Sequence, residues 1–160
     1  MEHRALPLEL VAGSYAVCRL GAAEPVPAWC EGGPFVSVTR TDAELSVVCP
    51  QEAVPAGVLA ERGFCCLRVV GPLGFGMTGV LASLSGPLAS SGVSIFVVST
   101  YETDYLMVQE RDLGRAVDAL TRAGHRVAAG RVRPRPAVPG DHGRRVGHVE
   151  FLGARPIPRV

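Results

Sequence analysis

The clearest hydrophobic signal in the chain begins at residue 71. Met77, Val80, Leu81, Leu84 and Leu88 recur at spacings of three and four, which puts all five on one helical face. Ahead of them, Gly71-Pro72-Leu73-Gly74-Phe75-Gly76 cannot continue a strand, because proline removes a ladder donor and the glycines disfavour regular structure, so the chain reverses there. Gly92 stands where a left-handed cap ends a helix. Residues 93–99 form a β-branched, almost wholly apolar run. After the polar break Thr100-Tyr101-Glu102-Thr103, a second run covers residues 105–108. The stretch predicts turn, helix, strand, tight turn, strand.

Upstream, Leu8, Leu10, Val11, Tyr15, Val17 and Leu20 predict one long strand, or two segments broken near Gly13-Ser14 by a bulge or a hairpin turn. Glu24-Pro25-Val26-Pro27-Ala28-Trp29 allows at most one helical turn, since two closely spaced prolines forbid a regular interior, and Gly32-Gly33-Pro34 ends it. Two short strands follow at residues 35–39 and 45–48, across a polar turn. Pro50 stops the second, residues 54–62 are expected to form a short helix closed by Gly63, and residues 65–70 a strand. Downstream, Asp112 is placed to cap a helix in which Leu113, Ala116, Val117 and Leu120 share a face; Gly124 closes it and residues 126–129 form a last edge strand. From Arg131 the pattern RVRPRPAVPG opposes regular structure, so residues 131–160 are expected to be a mostly disordered tail, with local pairing at 149–152 the exception.

A shift of 60 residues lays 35–45 over 95–105 as strand, hydroxyl, polar turn and strand, with Glu44 over Asp104 and Val48 over Val108. Strand, helix, strand, strand, helix, strand is the order of a ferredoxin-like unit. Two such units account for residues 8–129, the first with a degraded first helix. That architecture leaves function open. An RNA-recognition module needs aromatic pairs on its central strands, where this chain carries Val, Ile, Cys and Leu. A metal carrier needs a cysteine pair in the first turn, where Leu73-Gly74-Phe75-Gly76 stands.

Composition narrows the classes further. With 48% hydrophobic residues in 160, the chain can fill the core of one domain or two small ones. It has no apolar run of membrane-spanning length and no basic region followed by an apolar stretch, so a cytoplasmic location is expected. Five cysteines form no CxxC pair and are expected to be buried reduced thiols, with Cys65 and Cys66 on opposite faces of a strand. Lysine is absent and all 16 basic residues are arginine, which reads as biased composition. The net charge of +1 conceals a mildly acidic body and a basic tail. His3, His125, His142 and His148 fall in no nucleophile elbow or metal-ligand spacing, so neither an enzyme, nor a metal site, nor a cofactor is indicated, and His125, beside a helix terminus, reads as solvated.

The segment GPLGFGMTGVLASLSGPLASSGVSIFVVSTYETDYLMV resembles the ACT domain, of the amino-acid-sensing type found in the CASTOR arginine sensors and in small bacterial tandem ACT proteins. The resemblance runs over residues 8–129. It rests on the PLGF turn at 72–75 with Gly79 following, on STYETDY at 99–105, and on TRTDAELSVV at 39–48. It implies an α+β fold of two ferredoxin-like (βαββαβ) ACT units with antiparallel sheets, divided as residues 1–63, 64–130 and the tail. It also implies a regulatory, non-catalytic role in binding an amino acid or a related small molecule. By the same resemblance the contacts fall to Phe75, Gly76, Met77, Thr78, Gly79, Thr100, Tyr101 and Asp104. The chemistry agrees: a helix start near Thr78 exposes backbone N–H groups to a carboxylate, Gly74, Gly76 and Gly79 permit its close approach, and Asp104 is a partner for an ammonium or guanidinium group. Homodimer pairing or a regulated enzyme partner would follow from exposed edge strands. The competing reading is a nucleic-acid or protein interaction through the arginine-rich tail, opposed by Asp141 and Glu150, which interrupt its basic stripe.

Overall fold

The strand β1 (Pro7–Leu20) organises the molecule, and the computed structural model describes residues 5–129 around it. It is one continuous strand rather than a hairpin. Gly13, at φ 92, sits where the register against its neighbour shifts between Val11 and Tyr15, which is the bulge form of the expected break. The other strands are β2 (Ser37–Arg40), β3 (Leu45–Pro50), β4 (Ala60–Val69), β5 (Ile95–Ser99), β6 (Asp104–Gln109) and β7 (Arg126–Ala129). They form one seven-stranded sheet in the order β2-β3-β1-β4-β6-β5, with β7 parallel to the start of β1 and the other pairs antiparallel. Among the described residues there are two α-helices, α1 (Val80–Ser90) and α2 (Leu113–Arg122), and both belong to the second half.

Three expectations are corrected here. Residues 54–62 form no helix: a single 3₁₀ turn at Gln51–Ala53 leads into β4, whose start is recruited because Val17 and Cys18 of the long β1 need partners and find Glu61 and Ala60. The first half therefore has short 3₁₀ turns where the ferredoxin-like order called for helices. The fold is α+β, but it is one curled sheet rather than two sheets each with its own helices. The hairpins β2-β3 and β5-β6 do repeat, at 59 residues rather than 60. Arg40 pairs with Leu45 as Ser99 pairs with Asp104, and Thr41 and Thr100 close the two turns through backbone bonds to Glu44 and Thr103. The counterpart of Asp104 is thus Leu45, a buried core residue, and Glu44 corresponds to Thr103. The expected tail lies outside the described residues.

Alternation along the strands gives the sheet two apolar faces. On one, Leu8, Cys65, Leu67, Val69, Leu106 and Val108 pack beneath Leu84 and Leu88 of α1 and Ala116, Ala119 and Leu120 of α2. The same face continues into the first half as Ala16, Cys18, Leu45, Val47 and Cys49 beneath Cys30 and Val54. The opposite face carries Tyr15, Val48, Cys66 and Met107 around Phe35. Cys65 and Cys66 do point to opposite faces.

His125 is buried, not solvated, at 3% exposure. Pro87 lies inside α1 and has no N–H, so the carbonyl of Ser83, four residues earlier, loses its helical donor. His125 Nε2 lies 3.1 Å from that carbonyl oxygen, and Leu6 N–H donates to Nδ1 at 3.2 Å. Because Nδ1 accepts, the ring proton is on Nε2 and is donated to Ser83. One neutral imidazole ties α1 to the chain entering β1.

All five thiols are buried. Burial pushes each above its ordinary range, Cys49 and Cys66 to about 12, and raises Tyr15 as well. The folded chain therefore holds these protons more tightly than the unfolded chain. The stability this represents is complete below the unfolded thiol value and is lost as pH rises towards the folded values. With no lysine in the chain, no ammonium side chain titrates alongside the thiols from about pH 8 to 11. The melting temperature is expected to hold up to about pH 8 and to fall steadily above about pH 9. A midpoint unchanged to about pH 11 would show instead that the thiols ionise freely in the native state.

Candidate functional site

Two turns meet beside the start of α1. Leu73 N–H donates to the carbonyl of Glu102 at 2.7 Å, which stitches the glycine-rich turn to the hairpin turn between β5 and β6. The approach needs a glycine at 71, where a Cβ would lie 2.9 Å from that same carbonyl oxygen. The hairpin turn is closed by Thr100, whose N–H and hydroxyl donate to the carbonyl of Thr103 at 2.8 and 2.9 Å, and it is anchored by the buried Thr103 hydroxyl, which donates to Val69 at 2.6 Å.

The helix starts two residues later than the expected Thr78. Gly79 is its N-cap at φ 79, ψ 2, and Ser83 N–H makes the first helical bond, to Gly79. The N–H groups of Val80, Leu81 and Ala82 have no acceptor within the helix, and a glycine cap offers no side chain to them. Any other residue at 79 pays about 1–2 kcal/mol for the left-handed conformation.

Together these elements enclose a cleft of ≈ 370 Å³ lined by Leu73, Gly74, Phe75, Met77, residues 79–82 and residues 99–104. Of the residues expected from sequence, Phe75, Met77, Gly79, Thr100, Tyr101 and Asp104 line it; Gly76 and Thr78 do not. Val80, Leu81, Ala82 and Ser99 line it and were not expected, since α1 was expected to begin earlier and the pairing of Ser99 with Asp104 follows from the 59-residue register. Phe75 and Tyr101 are 79% and 81% exposed and meet edge to face at 5.0 Å across the mouth. Asp104 Oδ1 accepts from the Ser99 hydroxyl at 2.6 Å, and Oδ2 accepts no hydrogen bond from the described residues.

The electrostatics are those of a zwitterion turned inside out. The first turn of α1 supplies three N–H donors and the positive end of the helix dipole, and Asp104 supplies a carboxylate in the same cleft. A second cleft, of ≈ 740 Å³, lies on the other side of the hairpin turn and contains Glu9, Arg68 and Tyr105. Its arginine is already paired, Arg68 Nη2 to Glu9 Oε2 at 2.8 Å, which leaves Glu102 as its other charged lining residue. Among the described residues no group of three His, Cys, Asp or Glu is placed to hold a metal ion, and no helix is long and apolar enough to cross a membrane.

The ACT domain family model matches residues 59–122, and a second model, described as an N-terminal domain, matches residues 13–57. The chain is 32% identical over 99 residues to the cytosolic arginine sensor for mTORC1 subunit 1 of Bos taurus; the match takes in 55% of this chain and 30% of that protein. A crystal structure of an Agrobacterium tumefaciens protein is 42% identical with a TM-score of 0.76, over 80% of this chain and 96% of that one. A Vibrio cholerae protein of unknown function shares the fold at 23% identity and a TM-score of 0.64, over 76% of this chain and 92% of that one.

Proposed function

This chain belongs to the ACT-domain proteins, of the CASTOR type, and on that premise we propose that it is a non-catalytic regulatory protein that binds a free amino acid in the cleft at the start of α1. The observation that carries the reading is the pairing, in one cleft, of the unpartnered N–H groups of residues 80–82 with the free oxygen of Asp104. The first receives an α-carboxylate and the second a cationic group, either the α-ammonium or a basic side chain. Phe75 and Tyr101 offer aromatic faces to an aliphatic stem or a guanidinium. Phe75, Met77, Gly79, Thr100, Tyr101 and Asp104 are the proposed contacts. Arginine is the first ligand to try, because the Bos taurus relative is an arginine sensor.

Separate family models match residues 13–57 and 59–122, which supports a division near residue 63 into two ACT-like units joined through β1 and β4 of one sheet, the second carrying the cleft. In the first unit Leu45 replaces the acid and no α-helix provides donors, so it is read as a scaffold. Signalling follows by population shift: ligand stabilises one association state, of a homodimer or with a regulated partner in the cytoplasm, and that state is read out. Calorimetry against the twenty amino acids tests the reading. Heat is expected with a small subset; no heat with any of them would remove the sensor function.

A further inference from the structure

Of the described residues 31–44, Phe35 alone is buried. It lies edge to face on Tyr15 at 6.0 Å and tilted against Tyr105 at 4.4 Å, and shares its cluster with Val48, Cys66 and Met107. Tyr15 belongs to the first half of the chain and Tyr105 to the second. One side chain from a connecting segment thus closes the sheet face that α1 and α2 leave uncovered.

The segment that carries it has little else to hold it. Residues 32–36 make no backbone hydrogen bond to another described residue, and Gly32, Gly33, Pro34 and Val36 are exposed. Gly32 and Gly33 both have positive φ, 120 and 76. At Gly33 a Cβ would come within 2.5 Å of Pro50 Cγ, so the route over β3 requires glycine. A segment with few hydrogen bonds and a single apolar anchor opens at a smaller free-energy cost than the sheet beneath it.

We propose that residues 31–36 form a latch, seated through Phe35, that opens while the sheet stays folded, and that its seating is coupled to the cleft through Tyr105. Tyr105 forms one wall of the seat and directly follows Asp104 along β6, so a ligand held by Asp104 acts on the strand end that holds the latch. The coupling rests on the amino-acid reading above; the latch does not.

Cys66 is a built-in reporter. It is the one thiol of the five in the Phe35 cluster, whereas Cys65 lies under the helices and Cys18, Cys30 and Cys49 lie in the core of the first half. Burial raises the Cys66 and Cys49 thiols alike, to about 12, so a difference in their alkylation rates reports access. Iodoacetamide labelling of the full chain, mapped thiol by thiol by mass spectrometry, is expected to modify Cys66 about tenfold or more faster than Cys49 and Cys65. Phe35→Ser is expected to speed Cys66 further and leave the other four thiols and the circular dichroism unchanged. A single common rate for all five thiols in the native chain, or an equal acceleration of all five in the variant, would overturn the latch. With millimolar L-arginine the Cys66 rate is expected to change severalfold. Arginine heat in calorimetry with an unaltered Cys66 rate would overturn the coupling and leave ligand binding intact. An absence of heat removes the sensor reading and the coupling together, and the ligand-free rates still decide the latch.

Discussion

His125→Ala is expected to lower stability by about 3–5 kcal/mol, the largest loss anticipated from any single polar side chain in the fold. The substitution removes the acceptor of the buried Leu6 N–H and the donor to the half-buried Ser83 carbonyl. Each orphaned group costs about 1–3 kcal/mol, and the lost ring leaves a cavity. His125→Phe separates the two contributions: it restores most of the volume and leaves both groups unpaired, so it should still cost about 2–4 kcal/mol. Denaturant midpoints of the three chains measure this. An alanine variant within about 1 kcal/mol of the parent would mean that α1 relaxes to satisfy Ser83 by itself.

Asp104→Asn is expected to weaken amino-acid binding by about 10- to 100-fold with little change in melting temperature. Asparagine keeps an Oδ1 acceptor for the Ser99 hydroxyl, so the hairpin turn survives, while the charge that meets the ligand's cation is removed. The turn has independent support from Thr100 and Thr103. A fall in stability with unchanged affinity would assign Asp104 to the turn alone, a role its bond to Ser99 already shows it can fill.

The parts of this molecule legible in its sequence are those whose pattern is local. The apolar runs of β5 and β6, the apolar face of α2 and the glycines at 92 and 124 are where they were expected, both glycines at positive φ; of the five residues expected on one face of the first helix, Leu84 and Leu88 are buried, Leu81 is exposed and Met77 precedes α1. Residues 54–62 misled because their composition suits a short helix, while residues 60–62 are drawn into β4 by pairing with β1, some forty residues earlier. The 60-residue alignment matched acids by type, whereas the true register is set by the threonines that close each turn, and it differs by one residue. One residue matters, because it replaces the supposed acid of the first half with buried Leu45.

The cleft was legible in outline for the same reason. Its two turns lie next to regular elements, so six of the eight residues named from sequence line it, but the exact start of α1 depends on Gly79 taking the cap, and that puts the free N–H groups at Val80, Leu81 and Ala82 rather than near Thr78. His125 was misjudged because its partners are Leu6, at the other end of the chain, and a carbonyl freed by Pro87. The proline was visible in the sequence; the imidazole that answers it was visible only in three dimensions.

The central claim is that a free amino acid bridges the start of α1 and Asp104. Backbone amide chemical shifts of the isotopically labelled chain, titrated with arginine and then with the other amino acids, test it most directly. The account predicts that a binding amino acid moves the amides of residues 79–82 and 99–104 first and furthest, the N–H groups of 80–82 shifting as they gain an acceptor. Binding that leaves the amides of residues 79–82 still and moves those around Arg68 and Glu9 would place the ligand in the other cleft, which shares residues 100–103 with this one, and contradict the account.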